Sequence, residues 1–300
     1  MKRVLIVANP IAGRGKAVAV LPELLSAFDK EGISPKTYFT IANPKDDALD
    51  TTILNSDFVI AMGGDGTLNR VSRPIILCAK PNTILPVVGL AALGTGNVAS
   101  GVLGFPRSFS EIAHAVAISK RRFIDVGVVF KNETAVAIFL LWLGTGIDGA
   151  VIHAVAAIRS RYVGSWLIPR YFTETLRIFS TYAFPDINVA ASQINGTFAS
   201  VIVANIGSFG VGGVTRKADP TDGQFNLIAT SHRNRFSWFL SGLMAGFNCY
   251  DFCWGISRSE ETKVMISAGE SVPVQIDGEP FGPPPFSIEI RKAALPILSL

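Results

Sequence analysis

Asp57-Phe58-Val59-Ile60-Ala61-Met62 runs without a break into Gly63-Gly64-Asp65-Gly66-Thr67-Leu68-Asn69. The first six residues form an apolar run of strand length, and the residues after Thr67 read as a helix. Between them stand three glycines around one acid. Without Cβ atoms the backbone can approach an anion closely and turn its N–H groups toward it. The helix that follows adds its positive N-terminal end at the same place. Strand, glycine loop and helix in this order make a phosphate cradle. Asp65 within it suits either Mg²⁺ binding or accepting a proton from an attacking hydroxyl. The plainer reading is a tight turn with Asp65 as N-cap.

Outward from this segment the pattern repeats. Arg3 to Ala8 reads as a first strand and Ala17 to Lys30 as a helix with Val20, Leu21, Leu24, Leu25 and Phe28 at helical spacing. Lys36 to Thr40 reads as a second strand, Pro44 to Leu54 as a helix and Ile84 to Ala92 as a fourth strand. Strands alternating with helices predict a parallel, doubly wound α/β sheet, whose ligands bind beyond the carboxyl ends of the strands. From about Asp125 the style changes. Val126 to Phe130, Ala135 to Leu143, Ile187 to Ala191, Phe198 to Asn205, Phe225 to Thr230, Lys263 to Ser267 and Ser287 to Ile290 read as strands joined by short, turn-rich links. That predicts a mainly antiparallel β-sandwich, interrupted by helical inserts near Val151 to Ser180 and Phe236 to Cys249. The expected domains are 1–125 and 126–290, and a tail at about 291–300 is open to returning to the first.

Composition bounds the partners. The chain has 300 residues, 49% of them hydrophobic and only 17% charged, against about 25% charged in an average globular chain. It can bury a large core and keep apolar surface for a greasy partner. A net charge of +4 suits an anionic membrane surface or a phosphorylated substrate without demanding nucleic acid. No run approaches the roughly 18 apolar residues needed to span a bilayer, and Met1 to Val7 reads as a strand and not as a signal peptide. Three cysteines, Cys78, Cys249 and Cys253, point to a reducing cytoplasm. Cys249 and Cys253, one helical turn apart, read as buried thiols.

Two further glycine loops stand where the alternation places strand ends. Leu93-Gly94-Thr95-Gly96-Asn97-Val98-Ala99 follows the fourth strand, and Asn9-Pro10-Ile11-Ala12-Gly13-Arg14-Gly15-Lys16 follows the first. Gly15-Lys16 looks like the end of a Walker A loop, but Pro10 and Ala17 stand where that motif has Gly and Ser or Thr.

Taken together, these segments resemble the catalytic domain shared by diacylglycerol kinases, sphingosine kinases and related bacterial lipid kinases, and the resemblance covers nearly the whole chain. Its carriers are Asn9-Pro10 with Gly13 and Gly15-Lys16, Gly63 to Thr67 with Asn69, Gly94 to Asn97, Ile124 to Gly127, and Gly146-Ile147-Asp148. Downstream follow Asn205 to Gly213, Ala218 to Gly223 and Ile276-Asp277-Gly278-Glu279-Pro280. The resemblance implies ATP bound between an α/β domain and a β-sandwich domain. It implies nucleotide contacts from Asn9, Gly13 and Lys16, from Gly63, Gly64, Gly66 and Thr67, and from Gly94, Thr95, Gly96 and Asn97. It implies Mg²⁺ near Asp219, Asp222 and Gln224, and a catalytic acid set of Asp65, Asp277 and Glu279.

The expected activity is ATP- and Mg²⁺-dependent phosphorylation of a lipid hydroxyl, on diacylglycerol, a sphingoid base or a glycerophospholipid. The base is Asp65 or the Asp277/Glu279 pair, with the lean toward Asp65. Lys16 or Arg14 would offset phosphate charge. Ala150 to Ser180, with Arg159, Arg161, Arg170 and Arg177 among Tyr162, Trp166, Tyr171 and Phe172, reads as a lid at a membrane interface or as a helix with a solvated basic face. Peripheral membrane association of a cytoplasmic protein follows, and a homodimer is left open. Two competing readings are a soluble-substrate kinase of the NAD kinase or phosphofructokinase type, and a non-catalytic nucleotide- or lipid-binding regulator.

Overall fold

The computed structural model describes residues 2–13, 15–40, 47–80, 83–94, 97–159, 167–207, 218–238 and 254–300, and of helical residues 158–159 and 167–172 the backbone alone. The chain divides into two units, one made of 1–125 with 293–300 and the other of 126–292.

In the first unit, β1 (Val4–Ala8), β2 (Lys36–Phe39), β3 (Phe58–Gly63) and β4 (Val87–Ala92) form a parallel sheet in the order β2-β1-β3-β4. Every residue of β1 and β3 is buried, as expected where helices cover both faces of a sheet. Val4, Ile6, Ala8, Phe58, Ile60 and Met62 pack with Leu24 and Phe28 of α1 (Lys16–Lys30) and Ile112 and Val116 of α5 (Phe109–Ala117). By the pleat, Leu5, Val7, Val59 and Ala61 face the other way, the side of α3 (Asp65–Leu77), which carries α2 (Asp47–Leu54). The chain runs from β1 to β2 on one side and returns to β3 on the other. The strand order therefore reverses between β1 and β3, which marks the carboxyl ends of these two strands as the ligand crevice of such a sheet. A short helix, α4 (Val98–Val102), follows β4.

The second unit packs two antiparallel sheets. One is the run β7 (Trp142–Thr145), β10 (Ser200–Ala204), β11 (Phe225–Thr230), β12 (Ile256–Glu261), β14 (Val274–Ile276) and β15 (Glu279–Phe281), ordered β12-β11-β10-β7-β14-β15. The other contains β8 (Ile187–Ala191), β9 (Asn195–Phe198), β13 (Lys263–Ala268) and the first part of β16 (Phe286–Leu298), with β5 (Arg121–Lys131) paired to β6 (Thr134–Phe139). Their facing side chains form one core. Phe139, Val189, Val264, Ile266 and Ile288 from one sheet meet Leu143, Val201, Val203, Phe225, Leu227 and Val274 from the other. Two helices, α6 (Ile147–Arg159) and α7 (Leu167–Thr181), fill the long connection after β7. Among the described residues, no helix is long and apolar enough to cross a membrane.

Three expectations need correction. Ala135 to Leu143, read as one strand, is two strands in different sheets, β6 and β7. The break falls where the Asp277 carboxylate takes the N–H groups of Leu140, Leu141 and Trp142, so these are lost to any ladder. Ser287 to Ile290 is part of a much longer strand that ends at Leu298. Its last residues lie in the first unit, where Ile297 pairs with Val88 of β4. β12 was missed because its Ser-Arg-Ser-Glu-Glu composition hides a strand that buries only Glu261. Most of the insert expected at Phe236 to Cys249 lies outside the described residues, as do Cys249 and Cys253, and Cys78 is exposed.

Candidate active site

The loops after β3 and β4 close on each other. Leu93 and Gly94 donate their N–H groups to the Gly63 carbonyl, at 2.7 and 3.3 Å. Gly64 and Gly94 approach backbone to backbone, and a Cβ on Gly94 would stand 2.7 Å from the Gly64 Cα. No other residue type fits that contact. Asp65 then fastens the pair. Its Oδ2 accepts the Val98 N–H at 3.1 Å and its Oδ1 accepts the Ala99 N–H at 3.0 Å. Gly64, not Asp65, is the N-cap of α3, so Asp65 caps the first turn of α4 on the neighbouring loop instead.

The other members of the expected nucleotide set are arranged around this contact. Asn9 donates its N–H to the Met62 carbonyl at 3.0 Å and uses Oδ1 to accept the Ile11 N–H at 3.2 Å, which folds its own turn. Gly13, at φ 58°, lies against the Leu93 carbonyl, so the first loop touches the third. Lys16 opens α1 and is exposed. Thr67 is buried with its hydroxyl over Gly63, and Gly66 is exposed. Asn97, at φ 46°, donates from Nδ2 to the Gly94 carbonyl at 2.7 Å, while its buried Oδ1 has no hydrogen-bond partner among the described residues. Thr95, Gly96 and Arg14 lie outside the described residues. Asn9, Gly13, Gly63, Gly64, Thr67, Gly94 and Asn97 therefore share the carboxyl edge of one sheet, together with the N-termini of α1 and α3.

In the second unit Asp277 is buried, at φ 49° in the tight turn between β14 and β15. Its Oδ2 accepts the Leu140 N–H at 2.9 Å, and its Oδ1 accepts those of Leu141 and Trp142 at 2.9 and 3.1 Å. Its own N–H donates to the Trp142 carbonyl at 3.0 Å. Glu279, two residues on, is exposed. Asp219 and Asp222 lie on a self-capped surface turn. Asp219 Oδ1 accepts from the N–H and hydroxyl of Thr221, at 2.9 and 2.7 Å, and Asp222 Oδ1 accepts the Gln224 N–H at 2.8 Å. The glycine-rich stretch before this turn, 208–217, lies outside the described residues. Among the described residues, no three His, Cys, Asp or Glu side chains converge as a metal cage. The turn can offer single carboxylates to an ion that arrives with its own oxygen ligands, the way Mg²⁺ travels with nucleotide phosphates.

Asp148 had a motif position but no assigned role. Its Oδ2 accepts from Gln275 Nε2 at 2.7 Å and from Trp142 Nε1 at 3.3 Å. The residue keeps some solvent contact, but its carboxyl is densely surrounded. Burial pushes that carboxyl above the ordinary aspartate range, against the hydrogen bonds from Gln275 and Trp142. A Cβ on Gly144 would fall on this carboxylate. Glycine at 144, four residues before the acid at the start of a helix, was the available signal. Of the arginine and aromatic stretch, 160–166 and the side chains of Arg159, Arg170, Tyr171 and Phe172 lie outside the described residues. Arg177 pairs with Glu174 at 2.7 Å.

Comparison with known proteins finds two family models along the chain. Residues 3–129 match the diacylglycerol kinase catalytic domain, and residues 142–299 match the YegS C-terminal NAD kinase beta sandwich-like domain. The chain is 24% identical over 287 residues to the diacylglycerol kinase of Bacillus subtilis, covering 93% of this chain and 90% of that protein. It is 30% identical over 128 residues to the diacylglycerol kinase of Staphylococcus saprophyticus, a match spanning 42% of this chain and 41% of that one. The crystal structure of a putative diacylglycerol kinase from Bacillus anthracis shares the fold with a TM-score of 0.75 at 18% identity, over 100% of this chain and 97% of that one.

Proposed function

The chain belongs to the diacylglycerol kinase catalytic-domain family, with a YegS-type C-terminal domain, and from that membership we propose that it transfers the terminal phosphate of ATP to a lipid hydroxyl. Diacylglycerol is the first choice of acceptor. A sphingoid base or a glycerophospholipid presents the same hydroxyl beside an apolar tail.

The observation that carries the nucleotide half of this reading is the contact of Gly64 with Gly94, fastened by Asp65 at the ends of β3 and β4, next to the reversal point of the sheet. Phosphoryl transfer needs positioning and charge neutralisation more than covalent chemistry. Loops that lock each other can hold main-chain N–H groups toward phosphates without reordering them at each turnover. The N-termini of α1 and α3 supply partial positive charge there, and Lys16 supplies a full one. Mg²⁺ would add charge neutralisation at the phosphates, and Asp219 and Asp222 are the carboxylates that would hold it.

The acid roles divide by solvent access, since Asp277 is buried, Asp65 half-buried and Glu279 exposed. Both oxygens of Asp65 and both of Asp277 accept main-chain N–H groups. We assign these two to holding the loops, and assign Glu279, exposed on the same turn as Asp277, to orienting the lipid hydroxyl and accepting its proton. The exposed side chains of Leu176, Phe236 and Trp254 on the second unit suit contact with a lipid surface, and we propose peripheral membrane association on that ground.

The test is incubation of the purified chain with terminally labelled ATP and Mg²⁺, in parallel with extracted lipids, NAD and sugar phosphates. Label in the lipid phase is expected. Label only in NAD or a sugar phosphate would transfer the assignment to a soluble-substrate kinase.

A further inference from the structure

The hydrogen bonds around Asp148 form a closed ring. Gln275, fully buried, donates from Nε2 to Asp148 and accepts the Gly278 N–H on its Oε1 at 2.8 Å. Gly278 follows Asp277 in the turn, and Asp277 holds the N–H and carbonyl of Trp142. The Trp142 indole returns to Asp148. A second tie fixes α6 to the same strand, since His153 donates from Nε2 to the Val274 carbonyl at 2.7 Å.

The ring has a direction. A main-chain N–H only donates, and Asp148 Oδ2 already accepts from the donor-only Trp142 indole. Between them the Gln275 amide has one workable orientation, with nitrogen toward Asp148 and oxygen toward Gly278. Turned over, it would set its oxygen against a carboxylate and its NH2 against an N–H. Gly278 sits at φ 81° and Asp277 at φ 49°, a conformation that needs support from its surroundings. Gly144 leaves the room that Asp148 occupies.

We infer that Asp148 is a positioning residue which, through the Gln275 amide, sets the Asp277-Gly278 turn and with it the direction of Glu279. This rests on the kinase reading for its consequence in catalysis, but not for the ring itself. Asp148 acts through the turn, so its loss lowers turnover without weakening substrate binding.

The test uses Asp148→Asn, Gln275→Glu and the double variant, in the full-length protein. The Asp148→Asn change keeps one oxygen that can accept from Gln275, so alone it is the conservative control. The Gln275→Glu change sets a second carboxylate against Asp148. Combined, the two changes reverse the link: the new amide at position 148 donates to the new carboxylate at position 275, which still accepts from Gly278. Amide hydrogen exchange at Gly278 reads the ring directly. On the order of tenfold faster exchange is expected in Gln275→Glu, with little change in Asp148→Asn and recovery in the double. Lipid-kinase assays should show kcat falling about tenfold in Gln275→Glu, with KM for ATP and lipid within about twofold, and kcat recovering in the double.

Exchange at Gly278 unchanged in Gln275→Glu, or not restored in the double, overturns the ring. A raised lipid KM in Asp148→Asn with no rescue by Gln275→Glu assigns Asp148 to direct lipid contact and overturns the positioning role. If the wild-type protein phosphorylates no lipid, the kinase reading fails while the exchange result still decides the ring.

Discussion

Asp65 and Asp277 occupy opposite kinds of scaffold and do the same work. Asp65 stands at the carboxyl edge of a parallel sheet, two residues past the end of a strand, and reaches sideways to the first turn of α4. Asp277 stands in a tight turn of an antiparallel sheet and reaches three successive N–H groups of a chain that is changing sheets. A parallel sheet leaves neighbouring strand ends side by side but joined only through distant crossovers, so its loops need a local fastening. An antiparallel sandwich needs a fastening where one strand leaves a sheet and the next begins in the other. In both, a carboxylate supplies several charge-assisted acceptors in one small group. Two other acids share the habit without being candidates for chemistry. Asp125 accepts the Ala293 N–H at 2.7 Å, where β16 enters the first unit, and Glu261 accepts from Ser192 and Gln193 N–H groups at 3.0 Å. An acid in a glycine-rich motif is thus weak evidence for a base until its lone pairs are accounted for.

The comparison breaks most visibly at Asp277. Asp277→Ala orphans three N–H groups, two of them on buried leucines, and should cost at least ~3 kcal/mol of stability in denaturant unfolding. A loss below about 1 kcal/mol would mean the turn is held by something else. Asp65→Ala orphans two N–H groups in a partly buried loop. It should cost about 1–3 kcal/mol and lower kinase turnover by about 100-fold through misplaced loops. Asp65→Asn sharpens the point, since one oxygen still accepts, and activity should recover to within about tenfold of wild type. A base would be as damaged by Asn as by Ala.

Smaller effects follow from the packing and from pH. Gly94→Ala forces the two loops apart, so it should raise KM for ATP and cost about 1–3 kcal/mol. Glu261 is the control carboxylate. Burial works to raise its carboxyl, but hydrogen bonds from Ser192, Ser259 and Gln193 overcome this and hold it below the ordinary glutamate range. A lowered folded value means that its stabilisation is complete above the unfolded value, about 4.3, and is lost as pH falls through the folded one. Glu261→Gln should therefore flatten the loss of thermal stability between about pH 5 and 3, with kinase activity at neutral pH unchanged.

The sequence made the four parallel strands and first three helices of the first unit legible, because period and punctuation there agree, but α4 and α5 were not read from it. Apolar runs such as Phe58 to Met62 end at glycines, and Leu21, Leu24 and Phe28 keep helical spacing. It also located the loop acids. What it could not show was the direction in which Asp65 and Asp277 reach, since their partners are main-chain N–H groups 33 to 137 residues away. The same long-range bonds hid the break between β6 and β7, where Phe139-Leu140-Leu141-Trp142 reads as one apolar strand. β12 was hidden for a related reason, since its one buried residue is a glutamate held by four hydrogen bonds.

The division of labour among the acids is tested most directly by comparing kcat for lipid phosphorylation in Glu279→Gln and Asp65→Asn, with folding checked for both. Glu279→Gln should lose about 100-fold or more while Asp65→Asn stays within about tenfold of wild type. The reverse order, with Glu279→Gln near wild type and Asp65→Asn inactive, would make Asp65 the base and contradict the account.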